Sequence, residues 1–140
     1  AAVPHPLAII TGANTGIGFH TAGQLAALGH EVVLACRSRE RGERAVQEAK
    51  RQYGAGISVR FEELDLASLK SVKAFADRIA AKHEQLQVLV CNAGLNSSSA
   101  LKSPEDQLTE DGIDVLYQAN FLGHLLLILM MLRLLRAARG

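Results

Sequence analysis

Residues Leu7 to Leu28 read LAIITGANTGIGFHTAGQLAAL. The apolar run Leu7-Ala8-Ile9-Ile10 is rich in β-branched residues and stops abruptly at Thr11-Gly12, the pattern of a short buried strand. Gly12, Gly16 and Gly18 follow, and then Phe19, Ala22, Leu25, Ala26 and Leu28 recur with helical spacing. A strand, a glycine turn and a helix in that order suit the holding of a phosphate. Glycines let the backbone approach an anion closely, and a helix N-terminus offers unpaired N–H groups and about half a positive charge. A tight strand–helix turn without a ligand is the competing reading, but glycines that follow a strand and open a helix favour the anion site.

The same alternation continues outward from this stretch. The first strand, Leu7–Ile10, leads to a helix over Ile17–Leu28 that Gly29 ends. Glu31–Cys36 is a second buried strand, and Arg39–Tyr53 a charged amphipathic helix stopped by Gly54 and Gly56. Ile57–Leu64 alternates as a third strand. Ser68 caps a helix over Leu69–Lys82 that buries Leu69, Val72, Phe75, Ala76 and Ile79. Leu86–Cys91 is a fourth strand, Leu95–Gln107 a serine-rich loop, and a long helix then runs nearly to Gly140. Near-continuous apolar strands separated by helices predict a doubly wound α/β domain, a parallel sheet of the Rossmann kind buried on both faces. The glycine turn then lies at the end of the first strand, where such sheets bind nucleotides.

Composition narrows the field of partners. The chain has 140 residues, 49% hydrophobic and 21% charged, with net charge +1, an ordinary globular balance that suggests neither nucleic acid nor an acidic membrane surface. Cys36 and Cys91 fit small buried hydrophobes of a reducing, cytoplasmic compartment, and the histidines share no metal spacing. The residues before Leu7 lack the basic and apolar regions of a signal peptide, so none is expected there. Phe121–Leu135 is strongly apolar, yet fifteen helical residues reach only roughly 22 Å against a hydrocarbon core of about 30 Å. It is therefore read as a core or interface helix and not as a membrane span.

The end of the second strand points to the kind of nucleotide. In a dinucleotide fold this position faces the adenosine ribose, where an acidic residue would bond the 2′-hydroxyl. Here Cys36 is followed by Arg37, whose guanidinium suits a 2′-phosphate. Such charge-assisted bonds contribute roughly 1.5–3 kcal/mol, about ten- to a hundredfold in affinity. NADP(H) is favoured over NAD on this ground. Arg39, Arg41 and Arg44 alternate with Glu40, Glu43 and Glu48 and are read as a solvated helix face.

Together these motifs resemble the short-chain dehydrogenases/reductases. Thr11-Gly12-Ala13-Asn14-Thr15-Gly16-Ile17-Gly18 matches that family's TGxxxGIG cofactor motif. Asp65-Leu66 matches its acidic-leucine pair, and Cys91-Asn92-Ala93-Gly94 its NNAG element with Cys for the first Asn. Asn120 is similar to the family's helix asparagine. The phrasing ACRSRERG, DLASLKSV, LVCNAG and NFLGHLLL most resembles the retinol-dehydrogenase and protochlorophyllide-reductase branch. The resemblance implies that Gly12, Asn14, Thr15, Gly16, Ile17, Gly18, Arg37, Asp65, Leu66, Asn92, Ala93 and Gly94 hold the cofactor, with Asp65 on the adenine amine. It implies that Asn120 supports a water in the catalytic site, and that the long helix contributes to a homo-oligomer. Asn92 is expected to bond backbone between strands while Ala93 and Gly94 leave room for the cofactor's ribose. Asp65 as a helix cap, Asn92–Gly94 as a plain strand-end turn, and His124 as a satisfied core histidine are the plain structural alternatives.

The family's proton transfer uses a Ser and a Tyr-x-x-x-Lys pair after a fifth strand. Tyr53 and Tyr117 are followed four residues on by Ile57 and Phe121, so neither makes that pair. The expectation is that residues 1–140 form the N-terminal, cofactor-binding part of a longer domain, incomplete on its C-terminal side and nearly inert alone. Positioned acid catalysis contributes about 10²–10⁴-fold. Two readings remain: part of an NADP(H)-dependent oxidoreductase acting on an alcohol or carbonyl, lipophilic substrates included, or a non-catalytic dinucleotide-binding module. A bare fourth strand and a half-covered apolar helix would favour self-association.

Overall fold

A computed structural model describes residues 5–138. Their four strands are β1 (Leu7–Thr11), β2 (Glu31–Cys36), β3 (Val59–Glu63) and β4 (Val88–Val90). They form one parallel sheet in the order β3-β2-β1-β4. The helices α1 (Gly16–Ala27), α2 (Arg39–Tyr53) and α3 (Leu69–Lys82) connect them in turn. The short helices α4 (Ser97–Ala100) and α5 (Val115–Tyr117) lead through a π-helical turn at Gln118–Leu122 into α6 (Gly123–Ala137).

Strand side chains alternate between faces, and this divides the core into two layers. Leu7, Ile9, Val33 and Ala35 point to one side, where they meet Val72, Phe75 and Ile79 of α3 and Leu127, Met131 and Leu134 of α6. Ala8, Ile10, Val32 and Leu34 point to the other, against Phe19, Ala22 and Ala26 of α1 and Ala45 and Ala49 of α2. The doubly wound α/β architecture read from the strand–helix alternation is the one observed.

Local signals explain most element ends. Ser38 caps α2 by accepting from the Arg41 N–H at 3.3 Å, and Ser68 caps α3 by accepting from the Ser71 N–H at 3.2 Å. Gly54 stops α2 at a φ of 126°, which other residues rarely adopt. Several expectations need correction. Strands three and four are shorter than read from the sequence, because β3 pairs with β2 only from Val59 to Glu63 and β4 pairs with β1 only from Val88 to Val90. The Leu86 N–H turns away to the Leu134 carbonyl. Cys91 is consequently exposed, while Cys36 is buried as expected. Leu28, past the end of α1, is 77% exposed and not part of the helix's buried face. The serine-rich loop contains α4 and a 3-10 turn at Pro104–Gln107. The last two residues of the expected long helix lie outside the described residues, and α6 closes at Ala137.

The length argument against a membrane span also changes. Val115–Ala137 is a continuous 23-residue helical stretch whose most apolar 18 residues have a mean hydropathy of 1.8, about 34 Å long and thus long and apolar enough to cross a bilayer. Its packing gives the core-helix reading, since Leu127, Met131 and Leu134 are buried against α3. Phe121 and Leu129 on the other face are more than half exposed.

Candidate dinucleotide site

The glycine turn is built as a cradle. Gly12 and Gly16 have φ of 61° and 59°, the left-handed region where a side chain is strained. A Cβ on Gly12 would lie 2.9 Å from the Ala93 Cα, and one on Gly18 would lie 2.4 Å from the Asn92 Nδ2. These two glycines let the turn nest against the segment that follows β4. A Cβ on Gly16 would meet nothing within 4 Å, so the turn is open on that side. Thr15, at the N-cap of α1, is extended and its side chain makes no capping bond. The orphan N–H groups of the first turn are therefore left for an anion.

Asn92 and Ala93 are held onto this turn by Thr11. The N–H groups of both donate to Thr11 Oγ1 at 2.9 Å. The Asn92 side chain donates from Nδ2 to the Thr11 carbonyl at 3.0 Å and to the Gly12 carbonyl at 3.4 Å. Asn92 thus bonds the backbone at the end of β1, and Ala93 and Gly94 line the cleft beside it.

The cleft so formed has a volume of about 360 Å³, within the range of ligand pockets. Gly12, Asn14 and Thr15 form one wall, Asn92, Ala93 and Gly94 a second, and Arg37, Asp65, Leu66 and Asn120 close it. Gly16, Ile17 and Gly18 are not among its walls. Ile17 is 81% exposed at the start of α1, and Gly18 is buried beneath the turn.

Arg37 stands at the end of β2 beside Ser38, and Arg41 reaches the same end of the cleft from the first turn of α2. Neither guanidinium makes an ion pair among the described residues. Arg39 pairs with Glu43 at 3.2 Å and Arg44 with Glu40 at 2.9 Å, as a solvated helix face should. Arg41 departs from that reading, and the sequence signal was its place four residues after Arg37. Burial pushes the Cys36 thiol up to about 11, against a hydrogen bond to the Ser38 carbonyl that lowers it. This end of the cleft therefore carries positive charge and no carboxylate other than Asp65.

Asp65 does not cap α3, since Ser68 does. Its Oδ1 accepts from the Ala67 N–H at 2.9 Å, and its own N–H donates to Ser71 Oγ at 2.9 Å. The other carboxylate oxygen has no partner among the described residues, and Asp65 lines the cleft. Opposite it, a Cβ on Gly123 would lie 2.5 Å from the Leu66 carbonyl, so only glycine lets the helix come this close. The approach brings Asn120 to the cleft mouth. Asn120 Oδ1 accepts from the Leu95 N–H at 2.7 Å and Nδ2 donates to the Leu95 carbonyl at 2.8 Å. Because the Gly123 N–H bonds Gln118 across the π-turn, the helix ladder is shifted around the Asn120 carbonyl.

Two anchors lie behind the site: Gln118, which gave no sequence signal, and His124, the satisfied core histidine of the sequence reading. Gln118 is fully buried and donates to Asp111 Oδ2 at 2.8 Å, which also accepts from the Leu69 N–H at 2.9 Å. These bonds hold the Asp111 carboxyl below the usual range and tie the π-turn to the start of α3. His124 is buried with Nε2 at 2.8 Å from Thr11 Oγ1 and Nδ1 at 3.4 Å from the Asn120 carbonyl. No cluster of His, Cys, Asp or Glu among the described residues could hold a metal ion.

The sequence profile of the short chain dehydrogenase family matches residues 6–140. The chain belongs to that family. It is 44% identical over 128 residues to the WW domain-containing oxidoreductase of Gallus gallus, covering 91% of this chain and 29% of that protein. It is 40% identical over 138 residues to retinol dehydrogenase 13 of Mus musculus, covering 99% and 39%. A solved metagenomic short-chain oxidoreductase in complex with NADP superposes with a TM-score of 0.74 at 30% identity, over 96% of this chain and 59% of that one. The chain thus spans under half the length of these curated relatives. Membership of this oxidoreductase family and likeness to retinol dehydrogenases agree with the motifs read above.

Proposed function

We propose that residues 1–140 act as the NADP(H)-binding unit of an oxidoreductase that interconverts an alcohol and a carbonyl. The observation that carries this reading is the pair of unpaired guanidiniums, Arg37 and Arg41, at the cleft end next to the Ser38 cap. An acidic residue there would repel a 2′-phosphate, and two arginines attract it. Gly12, Gly16 and the uncapped start of α1 would hold the pyrophosphate, with Asn14, Thr15, Ile17 and Gly18 shaping that turn. The free oxygen of Asp65 would accept from the adenine amine, beside Leu66. Asn92, Ala93 and Gly94 would border the nicotinamide ribose.

The cofactor, when bound, supplies the hydride chemistry. This chain's residues bind and orient it. Asn120 holds the Leu95 backbone at the cleft mouth, where a substrate would enter. Tyr53 and Tyr117 do not occupy the family's proton-donor pattern, so no residue of this chain is assigned the proton transfer. The 140-residue chain alone is expected to bind cofactor without turning it over. A small alcohol or carbonyl substrate, lipophilic ones included, follows from the likeness to retinol dehydrogenases. The exposed apolar residues Phe121, Leu125 and Leu129 support self-association through the long helix. The sequence-based expectation of a cytoplasmic setting stands beside them.

The test is calorimetric titration of Arg37→Ala and Arg41→Ala variants. Each is expected to lose about ten- to a hundredfold in NADPH affinity and much less in NADH affinity. Equal losses for both cofactors would remove the 2′-phosphate assignment.

A further inference from the structure

The hydroxyl of Thr11 is the junction between the glycine turn and the Asn92–Gly94 wall, and its hydrogen-bond capacity is limited. A threonine hydroxyl has one proton to donate and two lone pairs to accept with. Both lone pairs are taken by the Asn92 and Ala93 N–H groups at 2.9 Å. The remaining proton has two possible acceptors, the Val90 carbonyl at 3.5 Å and His124 Nε2 at 2.8 Å. The shorter contact wins. A third donor would find no lone pair, so Nε2 has to be the bare nitrogen of the ring. Nδ1 then carries the hydrogen and is directed at the Asn120 carbonyl, 3.4 Å away.

We propose that His124 is a positioning residue for the cofactor site, acting as an uncharged Nδ1–H imidazole whose Nε2 accepts the Thr11 proton. In this form it leaves both Thr11 lone pairs to hold Asn92 and Ala93 against the glycine turn. A protonated ring would present Nε2–H to an oxygen with no free lone pair, and the junction would have to open. This inference rests on the cleft being the dinucleotide site.

The surroundings agree with an uncharged ring. His124 is 6% exposed, and the α3 residues facing its helix, Val72, Phe75, Ala76 and Ile79, are apolar. Cys91, which precedes Asn92, is an exposed thiol whose partial desolvation raises its pKa above the usual range. Among the described residues, Asp65, Arg37 and Arg41, the charged side chains of the cleft, make no hydrogen bond to the ring, whose partners are Thr11 and Asn120, and the ring has no ion pair. Burial lowers the ring's basicity below the ordinary 6.5, and the Asn120 carbonyl opposes this in part. Since the folded value is depressed, the favourable junction is fully present above about pH 6.5 and is lost as pH falls toward the folded value.

Two measurements test this on the whole chain. Two-bond ¹⁵N–¹H correlation spectra of the histidine rings at pH 7.5, with His124 assigned by substitution, are expected to show bare Nε2 and protonated Nδ1. Protonated Nε2 would overturn the proposal with no cofactor in the tube. NADPH titrations then compare wild type with His124→Gln, whose amide oxygen can replace the acceptor, and His124→Phe, which cannot. At pH 7.5 the glutamine variant is expected within threefold of wild type, and the phenylalanine variant at least tenfold weaker. Wild-type affinity is expected to fall more steeply than that of the glutamine variant as pH is lowered below 6.5 through the depressed folded value. Equal affinities and equal pH profiles for all three would overturn it. Should wild type bind no NADPH, the functional reading fails separately, and the ring spectra still decide the role of His124.

Discussion

Gly18 is expected to tolerate no side chain, and the cost can be worked from its neighbours. A methyl group there would sit 2.4 Å from Asn92 Nδ2, 2.7 Å from the Gly12 carbonyl oxygen and 3.2 Å from the Ala13 Cα. The Asn92 amide can swing away, but it then gives up its bonds to the Thr11 and Gly12 carbonyls at 3.0 and 3.4 Å. Losing the shorter of these costs about 1 kcal/mol, and the crowding against backbone adds about 1–3 kcal/mol. Better helix propensity of alanine returns about 0.5–1 kcal/mol. Gly18→Ala is therefore expected to lose about 2 kcal/mol in urea denaturation followed by circular dichroism, with weaker NADPH binding at the distorted turn. Gly16→Ala is the control: nothing lies within 4 Å of its Cβ, and only the left-handed backbone costs about 1–2 kcal/mol. In Gly18→Ala the Asn92 side-chain amide resonances should move, and in Gly16→Ala they should not. A Gly18→Ala variant within 0.5 kcal/mol of wild type (about the usual range for neutral surface changes), with unshifted Asn92 resonances, would refute the close-approach reasoning.

Two more outcomes follow from burial. Leu127 is fully buried between sheet and α3 while Leu129 is 59% exposed on the same helix, so Leu127→Ala should cost about 2–5 kcal/mol in denaturant unfolding and Leu129→Ala under about 0.5 kcal/mol. With its thiol at about 11 against an ordinary 9.0, Cys36 should react with iodoacetamide at pH 8 roughly a hundredfold more slowly than a free thiol. Exposed Cys91 should label faster, and NADPH should slow Cys36 further because it borders the cleft, all read by mass spectrometry of timed samples.

The elements that were legible in the sequence are those whose ends are set locally. Arg39–Tyr53 has a capping serine on one side and a glycine on the other, and its helix has those bounds. The glycine turn was legible because strand, glycines and helix lie in one continuous stretch. What escaped depends on contacts between distant residues. The shortened β4 is set by where β1 ends its pairing. Arg41 alternates with glutamates in the chain, yet the turn at Ser38 carries it to the cleft. The π-turn at Gln118–Leu122 interrupts no hydrophobic period, since Gln118 is buried through polar bonds to the Thr109–Asp111 turn. Thr11 and His124 are 113 residues apart in sequence, so no local pattern could pair them.

The most direct measurement is calorimetric titration of the wild-type chain with NADPH and, separately, with NADH. NADPH is expected to bind at least tenfold more tightly, as an unpaired arginine pair facing a 2′-phosphate requires. A folded protein that bound neither, or that bound NADH as tightly as NADPH, would contradict the assignment of this cleft to NADP(H).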